Sequence, residues 1–485
     1  MILKFPTYLN LPSDFFQINS PGQFLNSECR LWNAELDNEL QLTELFNFKQ
    51  ELLVYLKNGQ SELIQKPFSQ AYMGHQFGSL NMLGDGRAHM VAEFLDTNDF
   101  LWDVQLKGSG RSQFSRRGDG VAALGPMLRE MIISEAMNAL MVPTTRSLAV
   151  IATNETVVRQ KNEPGGILVR ISKSHVRVGT FQFAYQSGGK QNVQKLTDYM
   201  LERMKIHYDQ SENKYRHFFK EVVSRQSRLI AQWLSIGFIH GVMNTDNMSI
   251  IGETIDYGPC AFMDQYHPMA VFSSIDQQGR YAYMRQVEIA QWNLARLAET
   301  LLELFSENPE ESKNFANLIL NDFIQQFQSE WFLLMSKKIG FQVTLKNPEA
   351  EKIWQLVIDL LDVMMNEKLD FTNTFLFLTG EFTELEQFKN NEKLSEWKNR
   401  WLQLAMSMSL DLSQMQSIMK NMNPLIIPRN YLVEEVIQKA IYSDYSSYTE
   451  FLMELQSPFQ QSEVKKKMQF LPNTTNTNYQ TFCGT

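Results

Sequence analysis

The feature that most constrains this chain is a change of hydrophobic period part-way along it. Between about 71 and 185, short strand-like runs alternate with glycine-rich turns: "GDGRAHMVAEFL", "FLWDVQLKGSG", "TRSLAVIAT", "TVVRQ" and "GGILVRIS". Such runs, bounded by glycine, predict a twisted sheet. Inside them "GPMLREMIISEAMNALM" repeats Leu128, Met131, Ile132, Ala136, Ala139 and Leu140 at helical spacing, with Pro126 near its start. Residues 190 to 240 read as helical, and beyond 280 long helices follow in "VEIAQWNLARLAETLLELF", "FANLILNDFIQQFQSEWFLLM" and "KIWQLVIDLLDVMM". A strand-rich part followed by a helix-rich part predicts an α+β chain. The many Met, Phe and Trp residues of the second half belong to its core.

Between these regimes lies "HGVMNTDNMSIIGETIDYGP", His240 to Pro259. Asn247 follows His240 by seven residues, and Asp256 opens an Asp-Tyr-Gly turn. That is the outline of a kinase catalytic loop and its metal-binding turn, with Val242 where the catalytic aspartate would stand. "MSII" and "TID", joined by Gly252-Glu253, predict a hairpin between the two. A carboxamide and a carboxylate oxygen on adjacent turns suit magnesium, a hard cation that keeps much of its water. Asp246 can act as a base or organise the loop, a choice the spacing leaves open. His240 reads as an anchor of the loop.

Three further pieces occur in the order that fold requires. Gly84 and Gly86 in "LGDGRAH" let backbone approach phosphates, and Arg87 adds charge. Lys107 ends a strand-like run, and Glu130 lies on the helix that follows; such a pair holds a lysine against phosphate oxygens. Arg170 and Arg177, seven residues apart in "LVRISKSHVRVG", either clamp a phosphate or lie on a solvated face. The expected architecture is a kinase-like, pseudokinase bilobal fold. Residues 1–70 would be an N-terminal extension on the core, 71–190 an N-lobe with nucleotide-binding loops, 191–470 a largely helical C-lobe with its metal loop at 240–259, and 471–485 a mobile tail.

With a net charge of −9 and no basic block, general nucleic-acid binding is not expected. No run of about 18 apolar residues suggests a membrane span. The N-terminus lacks the pattern of a secretory signal, so cytoplasmic residence is the expectation. Cys29, Cys260 and Cys483 form no C-x-x-C and read as free thiols.

These residues resemble the selenoprotein O family of pseudokinases that act as protein adenylyltransferases. The resemblance runs through "QAYMGHQFG", "LNMLGDGRAH", "WDVQLKGSGRSQFSRRGDGVAALGPMLREMIISEAM", "GGILVRISKSHVRVGTFQFA" and "HGVMNTDNMSIIGETIDYGPCAFMD", with an echo in "PRNYLVEE". It implies ATP bound in an orientation flipped relative to kinases, with AMP transferred to Ser, Thr or Tyr hydroxyls of protein substrates and Mg²⁺ or Mn²⁺ as the metal. It also implies nucleotide contacts from Gly84, Gly86, Arg87, Lys107, Asp119, Gly120, Arg170, Arg177 and Asp256. Glu130 becomes the partner of Lys107, Asn247 and Asp256 the metal ligands, and Asp246 the proton acceptor. Cys483, near the C-terminus where the family carries selenocysteine or cysteine, is implied to be redox-active. Cys260 is its candidate partner, although the bacterial cysteine of that segment lies nearer "VFSSID", where this chain has serines. A monomer is the default expectation. The competing readings are a kinase-like phosphotransferase with Asp246 as base, a transferase using UTP with manganese, and a silent nucleotide-binding scaffold.

Overall fold

The computed structural model describes residues 2–380, 386–468 and 481, and its first half is organised by one antiparallel sheet. Its strands are β1 (Ile2–Lys4), β2 (Phe16–Ile18), β3 (Glu28–Trp32), β4 (Phe68–Gln70), β7 (Ala88–Leu95), β8 (Leu101–Lys107), β9 (Arg146–Val158) and β10 (Asn162–Ser172). They run in the order β2-β4-β7-β8-β10-β9-β3, with β1 paired to β7. A separate hairpin, β5 (Met73–Gln76) and β6 (Ser79–Met82), stands off this sheet. The first 70 residues thus supply four of the sheet strands. "TRSLAVIAT" and "TVVRQ" form the single strand β9, with Asn154 in the left-handed region.

Side chains alternate across a strand, and here the alternation separates core from chemistry. Val104 and Leu106 of β8, with Ile167, Val169 and Ile171 of β10, pack against α1 (Ala34–Leu40), α2 (Leu42–Phe46) and α3 (Phe48–Asn58). The intervening residues face the other way. Gln105 pairs in register with Arg170 and Lys107 with Leu168, which puts both cations on the face covered by α4 (Leu124–Ala139). That helix is buried on nearly all sides, so its Glu130 is held among apolar neighbours except where it meets those cations.

From Val178 onward the described chain is mainly helical, with α5 (Val178–Arg203), α6 (Lys214–Ser235), α7 (Gln286–Phe305), α8 (Pro309–Lys338), α9 (Ala350–Asn366), α10 (Phe371–Leu378) and further helices to Met468. One continuous apolar core joins them to α4 and to the inner face of the sheet. The structure is therefore mixed α and β. No helix among the described residues is long and apolar enough to cross a membrane.

One local expectation needs correction. The arms "MSII" and "TID" do not pair with each other: Ser249 bridges Arg177 and Thr254 bridges Thr144. Long-range partners saturate the backbone groups a hairpin ladder would have used. Of residues 471–485 the structure describes Thr481 alone, which is buried, pairs with Ser273 and donates from Oγ1 to Pro259 O at 2.7 Å.

Candidate active site

A cleft of about 680 Å³ opens between the sheet and the loop that follows α6, lined by Gly84 to Arg87, Lys107, Arg170, Arg177, Val242, Asp246, Asn247 and Asp256 among others. At its base cations from three segments converge on one carboxylate, Asp256. Lys107 Nζ lies 2.5 Å from Asp256 Oδ1 and 2.6 Å from Glu130 Oε2. Arg170 Nη2 binds Glu130 as well, and lies 2.6 Å from Asp256 Oδ1. Arg177 Nη1 reaches Asp256 Oδ2 at 2.9 Å and the Asp246 carbonyl at 2.9 Å. Arg170 and Arg177 are only 1% and 3% exposed, which removes the solvated-face reading of both.

Burial alone would favour neutral carboxyls here, but the cations outweigh it. Arg170, Lys107 and Arg177 hold Asp256 well below the usual carboxylate range, and Arg170 with Lys107 lowers Glu130. Each buried charge therefore has a counter-charge, the condition under which such a cluster is tolerated. Asp256 adopts φ +62°, a left-handed conformation that costs a non-glycine residue about 1 kcal/mol and recurs at functional sites.

Asp246 differs from its neighbours. Its Oδ1 is buried with no hydrogen-bond partner, and burial raises its carboxyl to about 6 against the pull of Arg177. Gly74 of β5 makes room for it, since a Cβ there would lie 2.1 Å from Asp246 Oδ1. Asn247 Nδ2 donates to Val242 O at 3.0 Å, which directs the amide nitrogen away and leaves Oδ1 as the group able to ligate. His240 Nε2 donates to Ile255 O at 2.9 Å, stapling the loop to the Asp256 turn. Asn247 Oδ1 and the Asp256 carboxylate are oxygen donors of the kind that suits a hard divalent cation keeping part of its water. No cage of three or more His, Cys, Asp or Glu side chains occurs among the described residues.

The upper wall is a crossing of two glycine-rich loops. Gly84 (φ +105°) and Gly86 lie under the loop that follows β8: a Cβ at Gly84 would meet the Phe114 ring at 2.5 Å, and one at Gly86 the Phe114 carbonyl at 2.9 Å. These glycines admit a second loop as well as any phosphate. Arg87 lines the cleft beside them. Asp119 and Gly120 lie on the second loop, where Asp119 accepts both guanidinium branches of Arg159, at 2.7 and 3.0 Å.

Arg159 escaped the sequence reading, as did Asp85 and Tyr72. Asp85 sits between the two glycines of "GDGR", a signal that was available; it is buried and accepts from Gln70 N at 3.1 Å. The Tyr72 ring lies 4.5 Å from the Arg177 guanidinium. Nothing local to Arg159 or Tyr72 announces either contact. Cys260 is fully buried and its thiol is pushed up to about 12, so it is not a reactive thiolate in this state. Its candidate partner Cys483 lies outside the described residues.

Comparison with known proteins adds to this geometry. Residues 3–456 match the family model described as Protein adenylyltransferase SelO. The chain belongs to the SelO family. It is 44% identical over 483 residues to the protein nucleotidyltransferase YdiU of Lachnoclostridium phytofermentans, covering 99% of this chain and 98% of that one. Proteins of the same name from Clostridium perfringens and Bacillus cereus are each 45% identical over 481 residues, covering 99% of this chain and 97% of theirs. Against these SelO-family relatives the match spans both the sheet and the helical half, so the cleft lies wholly within it.

Proposed function

We propose that this SelO-family chain is a protein adenylyltransferase that moves AMP from ATP to Ser, Thr or Tyr hydroxyls of protein substrates. It works as a monomer in the cytoplasm, with a kinase-like bilobal fold in which 71–190 and 191–470 form the lobes. The observation that carries this reading is the cationic inner wall of the cleft. Arg170 and Arg177, buried beside Lys107, offer an adenine ring nothing but desolvated charge, whereas they suit a triphosphate. The terminal phosphates therefore lie innermost, the base points outward, and the α-phosphate is left facing Asp246.

The chemistry follows from that placement. The acceptor hydroxyl attacks the α-phosphorus, forming the new P–O bond as the bond to the β-phosphate bridging oxygen breaks. The hydroxyl proton passes to the Asp246 carboxylate, whose Oδ1 has no competing donor. Negative charge grows on departing pyrophosphate, where the ammonium of Lys107 and the guanidiniums of Arg170 and Arg177 stabilise it. Phosphate oxygens entering the cleft accept hydrogen bonds that Lys107, Arg170 and Arg177 otherwise give to Asp256, which frees that carboxylate. Mg²⁺ or Mn²⁺, held by Asn247 and Asp256, supplies further positive charge to the phosphates when bound. Val242, packed against the loop, replaces a base that would face the wrong phosphorus. Gly84, Gly86, Arg87, Asp119 and Gly120 line the outer path of the nucleotide.

The test is mass spectrometry of proteins from a reduced lysate incubated with the enzyme, ATP and Mg²⁺ or Mn²⁺. Peptides gaining adenosine and one phosphate together are expected. Peptides gaining phosphate alone would favour the phosphotransferase, and no adduct would favour the scaffold.

A further inference from the structure

Behind the segment that links β10 to α5 lies a second cavity, of about 710 Å³. Its volume falls in the range of roughly 300–1,000 Å³ typical of small-molecule sites. Lys173, which bounds it, lies between Arg170 and Arg177 in sequence, so the cavity and the cleft flank the same stretch of chain. No function considered above uses it.

In a chain of net charge −9, its wall gathers Lys173, Arg203, Lys205, Arg225 and Arg228 against two carboxylates, Glu253 and Glu330. Arg203 is committed to Glu93 and Asp103, and Arg225 to Glu221. The other three cations have no ion pair among the described residues. Two of them contact one ring: Lys173 Nζ lies 4.5 Å and Lys205 Nζ 4.6 Å from the Phe100 centroid, and Lys173 Nζ also lies 5.1 Å from that of Trp102. Lys205 Nζ is also fixed by Asn98 O at 2.8 Å. Neither ammonium is neutralised by its ring, so an anion entering the cavity is attracted to both. Glu253 accepts from Ser172 Oγ at 2.8 Å and feels the charges of Lys173 and Arg225, yet it forms no ion pair with either. Leu229, Ile251 and Leu334 give the cavity an apolar side.

We propose that this cavity is a second anion site, taking a small polyanion that carries two or more phosphate or carboxylate groups on an apolar or aromatic body. Lys173, Lys205 and Arg228 bind the anionic groups, and the apolar side receives the body. Gly252 and Glu253 of the same wall belong to the segment joining Asn247 to Asp256. The two sites therefore share two stretches of chain.

Calorimetric titration with inorganic pyrophosphate tests the binding. The wild type is expected to show two classes of site. One is lost, or weakened about tenfold or more, in Lys173→Glu/Arg228→Glu, and the other in Arg177→Gln. Should the double variant fold poorly, Lys205→Glu, a change at an exposed residue, is expected to weaken the same class. Titrations of the charge-reversed variants that superimpose on the wild type would overturn the proposal.

Discussion

Two cavities of similar size with basic walls flank the segment between Arg170 and Arg177; Arg203 and Arg225 of the rear one are paired as the inner cations of the cleft are, but its other three cations are not. In the cleft, Lys107, Arg170 and Arg177 are buried, and each is clamped by a carboxylate. In the rear cavity Lys173 is half-buried and Lys205 and Arg228 are exposed, with no carboxylate on any of them among the described residues. The difference follows from desolvation: a buried ion without a partner costs several kcal/mol, whereas an exposed one keeps its water. What the pairing adds in the cleft is geometry. Lys107, Arg170 and Arg177 are held in place by Glu130 and Asp256, whereas Lys205 and Arg228 have only the neutral partners Asn98 O and Ser224 Oγ.

The contrast is most easily broken at Glu130. Glu130→Gln removes the anion between Lys107 and Arg170, and urea unfolding is expected to show a loss of about 3–5 kcal/mol. The rear-cavity change Lys173→Ala is expected to stay within about 0.5 kcal/mol of the wild type. Equal effects would mean that the pairing in the cleft contributes nothing.

Lys338 sharpens the comparison, being a buried cation with no ion pair among the described residues. Its Nζ lies 4.4 Å from the Phe375 ring and 5.7 Å from that of Phe371, and burial lowers it from 10.5 to about 7. Between those values the unfolded chain binds a proton that the folded chain does not, so this residue makes stability rise with pH across the window. Below about pH 7 the folded state carries the full cost of a buried ammonium. Lys338→Met is therefore expected to stabilise the protein by about 1–3 kcal/mol at pH 6, with the gain shrinking as pH rises. A constant difference from pH 6 to 10 would show that this lysine does not titrate as described.

The smallest effect belongs to the exposed Arg159–Asp119 pair. Arg159→Lys forfeits the two-branched contact, with an expected stability change below about 1 kcal/mol. The KM for nucleotide should rise a few-fold at unchanged kcat, because the loop is loosened while Lys107, Arg170 and Arg177 stay in place. A fall in kcat alone would place Arg159 in the chemistry.

What was legible in the sequence was local. His240, Asn247 and Asp256 lie on one loop and turn, so their spacing speaks directly, and Lys107 and Glu130 sit on elements with strong period signals. The long-range contacts were not legible: Arg159 reaches back to Asp119, Tyr72 stacks on Arg177, and the two arms after Asn247 pair with Arg177 and Thr144 instead of each other. Thr481 was missed for the same reason, since nothing in a polar tail announces Ser273 or Pro259 as partners. Gly84 and Gly86 were expected to admit phosphate, and their further task of admitting Phe114 is visible only once the loops cross.

The account rests on the cationic inner wall holding the terminal phosphates, so the decisive measurement is which phosphate of ATP reaches protein. Wild type and Asp256→Ala are incubated with a reduced lysate, Mg²⁺ or Mn²⁺, and ATP labelled at the α- or the γ-position. The account predicts label in protein from the α-position only, and its loss in the variant. Label arriving from the γ-position would contradict it.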